Sequence, residues 1–207
     1  MGNTVPCDPL PPFLTNVSKD TKFWFLSFPF LVSLFTTGFF GIMGEQFRNI
    51  VPFMSSNIAV GSDHHGVPVR IKLVELLRQE GYTVQEFGPA IDDQQPTDYP
   101  DIAAQVARFV GTGESNRGIL ICGTGIGMCI AANKFAGVRA APVIDGLSAE
   151  FCRRHNDLNI LCIAHDMLNE ELIFQIVRIW LNTPFDGGRH ERRINKIRDI
   201  ERRLGLC

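Results

Sequence analysis

The 207-residue chain has no excess of either charge: 20 lysines and arginines stand against 22 aspartates and glutamates, a net charge of −2. That balance excludes the broad basic footprint of a nucleic-acid binder. Its six cysteines, Cys7, Cys122, Cys129, Cys152, Cys162 and Cys207, include no C-x-x-C pair and no paired Cys/His tract. Zinc therefore has no ligand set, and free thiols in a reducing compartment fit better than a disulfide framework. The familiar glycine motifs are missing as well. In GILICGTGIGMCIAANK, Gly118 to Lys134, the third glycine of a dinucleotide fingerprint is replaced by Met128, and no G-K-[ST] follows.

A second kind of chain occupies residues 1–53. MGNTVPCDPLPPFL is punctuated by prolines, and Phe23 to Met43 then runs for 21 residues without a charge. That length crosses a bilayer and exceeds the usual apolar core of a signal peptide. Pro29, Ser27, Ser33, Thr36 and Thr37 weaken a spanning helix, and Lys19, Lys22, Glu45 and Arg48 barely set an orientation. Three readings stay open: a membrane or targeting segment, a segment packed against protein, or upstream sequence preceding a true start at Met54. The expected division is thus an N-terminal extension, 1–53, and a domain over 54–207. The domain alone is expected in the cytoplasm, with membrane or organelle targeting only if 23–43 is a genuine segment.

From Asn57 onward apolar runs alternate with helical periodicity. NIAVG, TVQEF, GILIC, VRAAPVI and NILCIA read as five strands. Between and after them lie helices carrying Val67, Ile71, Val74 and Leu77, a helix from near Pro100, and Ile126 to Lys134. LSAEFCRRH, MLNEELIFQIVRIWL and the charged RHERRINKIRDIERRL complete the set. Strands alternating with helices, without hairpin turns, predict an α/β fold: a Rossmann-like three-layer arrangement with a five-stranded parallel sheet covered on both faces.

In such sheets ligands gather beyond the carboxyl ends of the strands. This chain places Asp63, His64 and His65 after strand one, the Cys122 loop after strand three, and His165 and Asp166 after strand five. Each group alone reads as capping or a solvated surface; their convergence on one rim is what argues for a site. A buried strand cysteine is ordinarily inert packing. Cys122, however, ends its strand before a helix whose unpaired N–H groups stabilise a thiolate. The glycines let backbone N–H groups turn inward into an anion-binding concavity. A base beside such a concavity suits proton abstraction next to a carbonyl. Cys129, Cys152, Cys162 and Cys207 lack that setting and read as packing or surface.

The segments GSDHHG, TDYPDIA, ILICGTGIGMCIAANKFAGVRA, RRHNDLNIL and FDGGRHERRI, in this order, resemble the type B ribose-5-phosphate isomerase family. That family also holds isomerases of galactose 6-phosphate and allose 6-phosphate. The resemblance spans about Asn57 to Glu201 and implies a metal-free, cofactor-free aldose–ketose isomerase of the pentose phosphate pathway. It implies a homodimer, or a dimer of dimers, with active sites shared between subunits. It makes Cys122 the base that moves a proton between C1 and C2, and Gly123, Thr124, Gly125, Ile126 and Gly127 the loop that steadies the enediolate. Some relatives carry a glutamate where this chain has Met128. By the same resemblance Asp63 and His64 contact sugar and phosphate, and Tyr99 lines the site. His155 opens the sugar ring beside the hydroxyl-binding Asn156, both reaching in from the other subunit. Arg189 and Arg193, with His190 between them, bind phosphate.

Elementary chemistry agrees with these assignments. Ring opening needs a proton on the ring oxygen, which an imidazole titrating near neutrality can deliver. Arginine forks match phosphate oxygens, and Arg189 and Arg193 share a helix face. One position departs: the family's further phosphate-binding arginine is here Asp166, preceded by His165, the wrong charge for a phosphate pocket. A non-catalytic sugar-phosphate-binding module and a membrane-tethered interaction protein are the competing classes, and mere binding would need no base.

Overall fold

The computed structural model describes residues 57–93 and 97–206. The expected domain division at residue 53 and the apolar segment 23–43 lie outside them. No helix among the described residues is long and apolar enough to cross a membrane.

Five strands and six helices alternate along the described chain. They are β1 (Asn57–Ser62), α1 (Val67–Gln79), β2 (Thr83–Phe87), α2 (Tyr99–Gly111), β3 (Arg117–Cys122) and α3 (Ile126–Ala132). There follow β4 (Ala140–Pro142), α4 (Gly146–Asn156), β5 (Ile160–Ala164), α5 (Glu170–Asn182) and α6 (Arg189–Arg203). All strand pairs are parallel, in the order β2-β1-β3-β5-β4. This is the expected α/β architecture.

The middles of the central strands carry no charged or polar side chain because both faces are covered. Ile58, Val60, Ile119, Ile121, Leu161 and Ile163 meet α1 and α5, whose Leu73, Leu77, Ile176 and Trp180 are buried. Ala59, Leu120, Cys122, Ile160 and Cys162 meet α2 and α3 through Ile102, Val106, Met128 and Ala132. The pleat thus aims the Cys122 side chain at the α2/α3 layer.

Several boundaries differ from expectation for local reasons. The buried face of α1 runs through Val69, Leu73, Val74 and Leu77, and Ile71 is only half-buried. The strand expected over VRAAPVI pairs only from Ala140 to Pro142, and proline brings no N–H to a ladder. Helix α3 ends at Ala132 rather than at Lys134. Helix α5 begins at Glu170, not at Met167, because Asn169 caps it, its Oδ1 accepting the Leu172 N–H at 2.9 Å.

Register brings the functional ends together. Ser62 lies beside Ile121 and Cys122 beside Ala164, so β1, β3 and β5 finish on one rim. The chain leaves β1 for one side of the sheet and returns as β3 on the other, which makes their ends the topological switch point.

Candidate active site

At that switch point Asp63 is buried, and its Oδ1 accepts the N–H groups of His65 (3.0 Å) and Gly66 (3.2 Å). One carboxylate oxygen therefore shapes an Asx-type turn leading into α1, whose N-cap is Gly66. His64 and His65 stand exposed beside it, their rings 4.2 Å apart.

Cys122 closes β3 with 5 % of its surface exposed. Its sulfur accepts the Gly125 N–H at 3.2 Å. Gly125 has φ +71°, the left-handed conformation that turns this N–H back toward the thiol. Thr124 Oγ1 faces the Ile126 N–H at 3.4 Å. The half-exposed Tyr99 ring packs against the loop: a Cβ on Gly127 would stand 2.7 Å from it. Met128 is fully buried and takes no place on the rim.

The β5 end closes over the same loop. The His165 N–H donates to the Cys122 carbonyl (2.9 Å) and the Asp166 N–H to the Gly123 carbonyl (3.0 Å). The exposed Asp166 carboxylate overlies Gly123, where an added Cβ would meet Oδ2 at 2.6 Å. Asp63, His64, Tyr99, Cys122 to Gly127, His165 and Asp166 form one cluster.

A second cluster lies where the end of α4 meets the start of α6. The His155 and His190 rings stack 4.3 Å apart at 3°, and Phe151 stacks on the other side of His155 at 5.0 Å. Arg189 Nε donates to His190 Nε2 at 3.2 Å. Asp186 accepts Arg154 Nε on both oxygens, at 3.2 Å each, and this hydrogen bond holds its carboxyl below the usual range. Burial pushes the His190 imidazole down, and His155, Arg189 and Arg193 push the same way against Asp186. Asn156 is exposed at the helix end, which Asp157 fixes. With φ +46°, Asp157 places its carboxylate 2.8 Å from both Arg139 and Arg153. No hydrogen bond, ion pair or ring contact joins the two clusters among the described residues.

Phe151, Asp157 and Asp186 escape sequence reasoning. The D of HND and the D of FDGGRH were visible, but their partners lie on other elements. By distance alone His155, Asp186 and His190 could surround a metal ion, their ligand atoms lying within 4.8 Å of one another. Their orientation argues against it. A metal sits in the plane of each imidazole ligand, and two parallel stacked rings share no plane. Arg154 already holds Asp186, and with Arg189 and Arg193 nearby the cluster favours an anion.

Cys129, read from the sequence as packing or surface, has neighbours that favour its thiolate. Cys129 is half-buried in α3, and a hydrogen bond from Cys162, helped by Asn133, lowers it to about 7 against the opposing effect of burial. Burial pushes Cys152 up to about 11, and Cys162 is raised well above the ordinary thiol range, chiefly by its bond to Cys129. At about pH 7.5 iodoacetamide should therefore alkylate Cys129 well ahead of Cys152 and Cys162. Peptide mass spectrometry over a time course checks this, and earlier labelling of Cys152 would contradict it.

The sequence profile of the Ribose/Galactose Isomerase family matches residues 58–197. The chain is 44% identical over 146 residues to ribose-5-phosphate isomerase B of Escherichia coli K12, covering 70% of this chain and 97% of that protein. Among solved structures it is similar to Clostridium thermocellum ribose-5-phosphate isomerase B, with TM-score 0.69 and 42% identity over 72% of this chain and 99% of that one. It is also similar to the Mycoplasma genitalium ribose-5-phosphate isomerase B solved with bound ribulose 5-phosphate. There the TM-score is 0.69 and the identity 41%, covering 72% of this chain and 98% of that one.

Proposed function

The chain belongs to the ribose/galactose isomerase family, that of the type B ribose-5-phosphate isomerases, and is a sugar-phosphate isomerase; we propose that it interconverts ribose 5-phosphate and ribulose 5-phosphate. The observation that carries this reading is a strand-end thiol whose sulfur takes the N–H of its own glycine loop. His155 gives a proton to the furanose ring oxygen as the C1–O bond breaks, and the C1 hydroxyl loses its proton to solvent, releasing the C1 aldehyde. The Cys122 thiolate removes the C2 proton, the electron pair forms the C1–C2 double bond, and negative charge gathers on O1. Backbone N–H groups of Gly123 to Gly127, with Thr124, hold that enediolate. The hydroxyl proton passes from O2 to O1, Cys122 returns a proton to C1, and the C2 ketone forms. Asp63, His64, Tyr99 and Asn156 bind the sugar hydroxyls. Arg189 and Arg193 bind the phosphate.

The two clusters supply complementary halves of this scheme without touching within one chain, which supports a homodimer whose site takes Cys122 from one subunit and His155 from its partner. Helix α6 supports it further. Of its apolar stripe only Ile194 is buried, while Ile197, Ile200 and Leu204 are exposed, as are Ile126 and Ile130 on α3 and Leu147 on α4. A stripe of this kind suits a two-fold interface.

A six-carbon substrate, galactose 6-phosphate or allose 6-phosphate, is the second reading, and the Asp166 carboxylate over Gly123 favours it. A carboxylate repels a phosphate dianion but accepts a hydrogen bond from a hydroxyl. Initial rates on ribose 5-phosphate, galactose 6-phosphate and allose 6-phosphate decide between them, with the highest kcat/KM expected for ribose 5-phosphate. Asp166→Arg should lower KM for ribose 5-phosphate roughly threefold or more, since a unit charge at about 7 Å in solvent-like surroundings costs about 0.6 kcal/mol. The kcat should stay within about twofold, because phosphate binding is uniform along the reaction. A KM that is unchanged or raised would remove the phosphate from the neighbourhood of Asp166.

A further inference from the structure

Every group in the proposed scheme touches the substrate, yet one buried polar side chain of the second cluster is placed to touch another residue. His190 is 6 % exposed, and its ring lies parallel to that of His155. Its Nε2 lone pair is taken by Arg189 Nε, so its proton sits on Nδ1. That Nδ1 is buried without a hydrogen-bond partner among the described residues.

We propose that His190 is a positioning residue for ring opening: an uncharged imidazole that fixes the ring of His155 by stacking and leaves the transferable proton to His155 alone. This inference rests on the ring-opening reading of His155.

The surroundings make the division of labour one-sided. A charged His190 would carry an N–H on Nε2, pointed at the Arg189 guanidinium, and would bury a cationic Nδ1–H without an acceptor. Arg189 and Arg193 on α6 oppose that charge, as does His155 on α4, and Asp186 in the α5–α6 linker is the opposing group. Asp186 is itself engaged by Arg154 of α4, which also holds Glu150. His155 is half-buried, and its own ring faces are both covered, by His190 and by Phe151. A flat aromatic face beneath an imidazolium attracts it, whereas a second imidazolium would repel it. Two stacked rings therefore leave one orientation and one proton.

Ring opening can be separated from enediolate chemistry by choice of substrate. In ribose 5-phosphate the C4 hydroxyl closes the furanose on C1. In ribulose 5-phosphate the C5 oxygen that would close a five-membered ring on C2 is esterified, so the ketose stays open. Deuterium from D2O enters C1 of ribulose 5-phosphate through the enediolate without any ring step. His190→Ala should lower turnover of ribose 5-phosphate by about tenfold or more, the scale of a misplaced acid. It should nonetheless retain deuterium entry into ribulose 5-phosphate within about threefold of wild type. His190→Phe, which restores a flat uncharged ring, should recover most of the lost turnover.

A folded His190→Ala variant that turns over ribose 5-phosphate like wild type overturns the proposal. So does one that loses turnover and deuterium entry together. His155→Ala is the reference: if it keeps ribose 5-phosphate turnover, the ring-opening reading itself falls, independently of His190. Nitrogen-15 chemical shifts of the histidine rings in the wild-type protein give a test that needs no variant and no substrate. Across about pH 6 to 8, where imidazoles titrate, His190 should remain the neutral Nδ1–H tautomer. Protonation of His190 within that range, or the opposite tautomer, overturns the proposal.

Discussion

Cys122→Ala is expected to lower kcat for ribose 5-phosphate by about 10²–10⁴-fold, the range for loss of a general base. KM should change little, because the loop N–H groups and the arginines proposed to bind phosphate remain. The substitution also removes the acceptor of the Gly125 N–H in a nearly buried site. That orphaned donor costs about 1–3 kcal/mol, so a modest fall in Tm should accompany the loss. Cys122→Ser separates the two effects. Its hydroxyl keeps an acceptor for Gly125 but is no base near neutrality, so the serine variant should be nearly as stable as wild type and nearly as inactive as the alanine variant. Steady-state rates and thermal melts on the three proteins check this. An alanine variant with more than about half the wild-type rate would remove Cys122 from the proton transfer.

The second large effect is a recovery. Cys122→Ala and His155→Ala homodimers should each be nearly inactive, since every site lacks one of the two groups. In a mixed dimer with shared sites, the Cys122 of one chain and the His155 of the other assemble one intact site, and the second site carries both losses. Random pairing makes half the dimers mixed, each with half its sites working, so co-expression should restore about one quarter of wild-type activity. Differently tagged subunits allow the mixed species to be isolated, where the expected figure is about one half. Inactive, verified mixed dimers would place Cys122 and His155 in the same site of the same subunit.

Much of this was legible in the sequence because the physics behind it is local. Strands such as GILIC are apolar at every residue because helices cover both faces, and each is followed by the residues that its carboxyl end must present. The thiol and its glycine loop, Asp63 and the position of Asp166 after β5 follow from that order alone. What was not legible depends on contacts between elements far apart in the chain. Asp186 meets Arg154 from a linker 32 residues later. Cys129 is perturbed by Cys162 on a neighbouring strand, so its own surroundings in sequence gave no sign of it. The stack of Phe151, His155 and His190 joins two helices separated by the whole of β5 and α5. Asp157 follows His155 and Asn156 directly in the chain, yet in the fold its carboxylate holds Arg139 and Arg153. Ile71 was assigned to the buried face by its spacing from Val67, but the contact with the sheet runs through Val69, Leu73 and Leu77.

The central claim is that a thiol base interconverts ribose 5-phosphate and ribulose 5-phosphate through an enediolate. It is tested most directly by incubating the purified protein with ribose 5-phosphate in D2O and following carbon and proton NMR spectra, with Cys122→Ala alongside. The account predicts ribulose 5-phosphate carrying solvent deuterium at C1 from the wild-type protein, and neither product nor label from the variant. Unchanged ribose 5-phosphate with the wild-type protein, or labelled ribulose 5-phosphate formed at a comparable rate by Cys122→Ala, would contradict it.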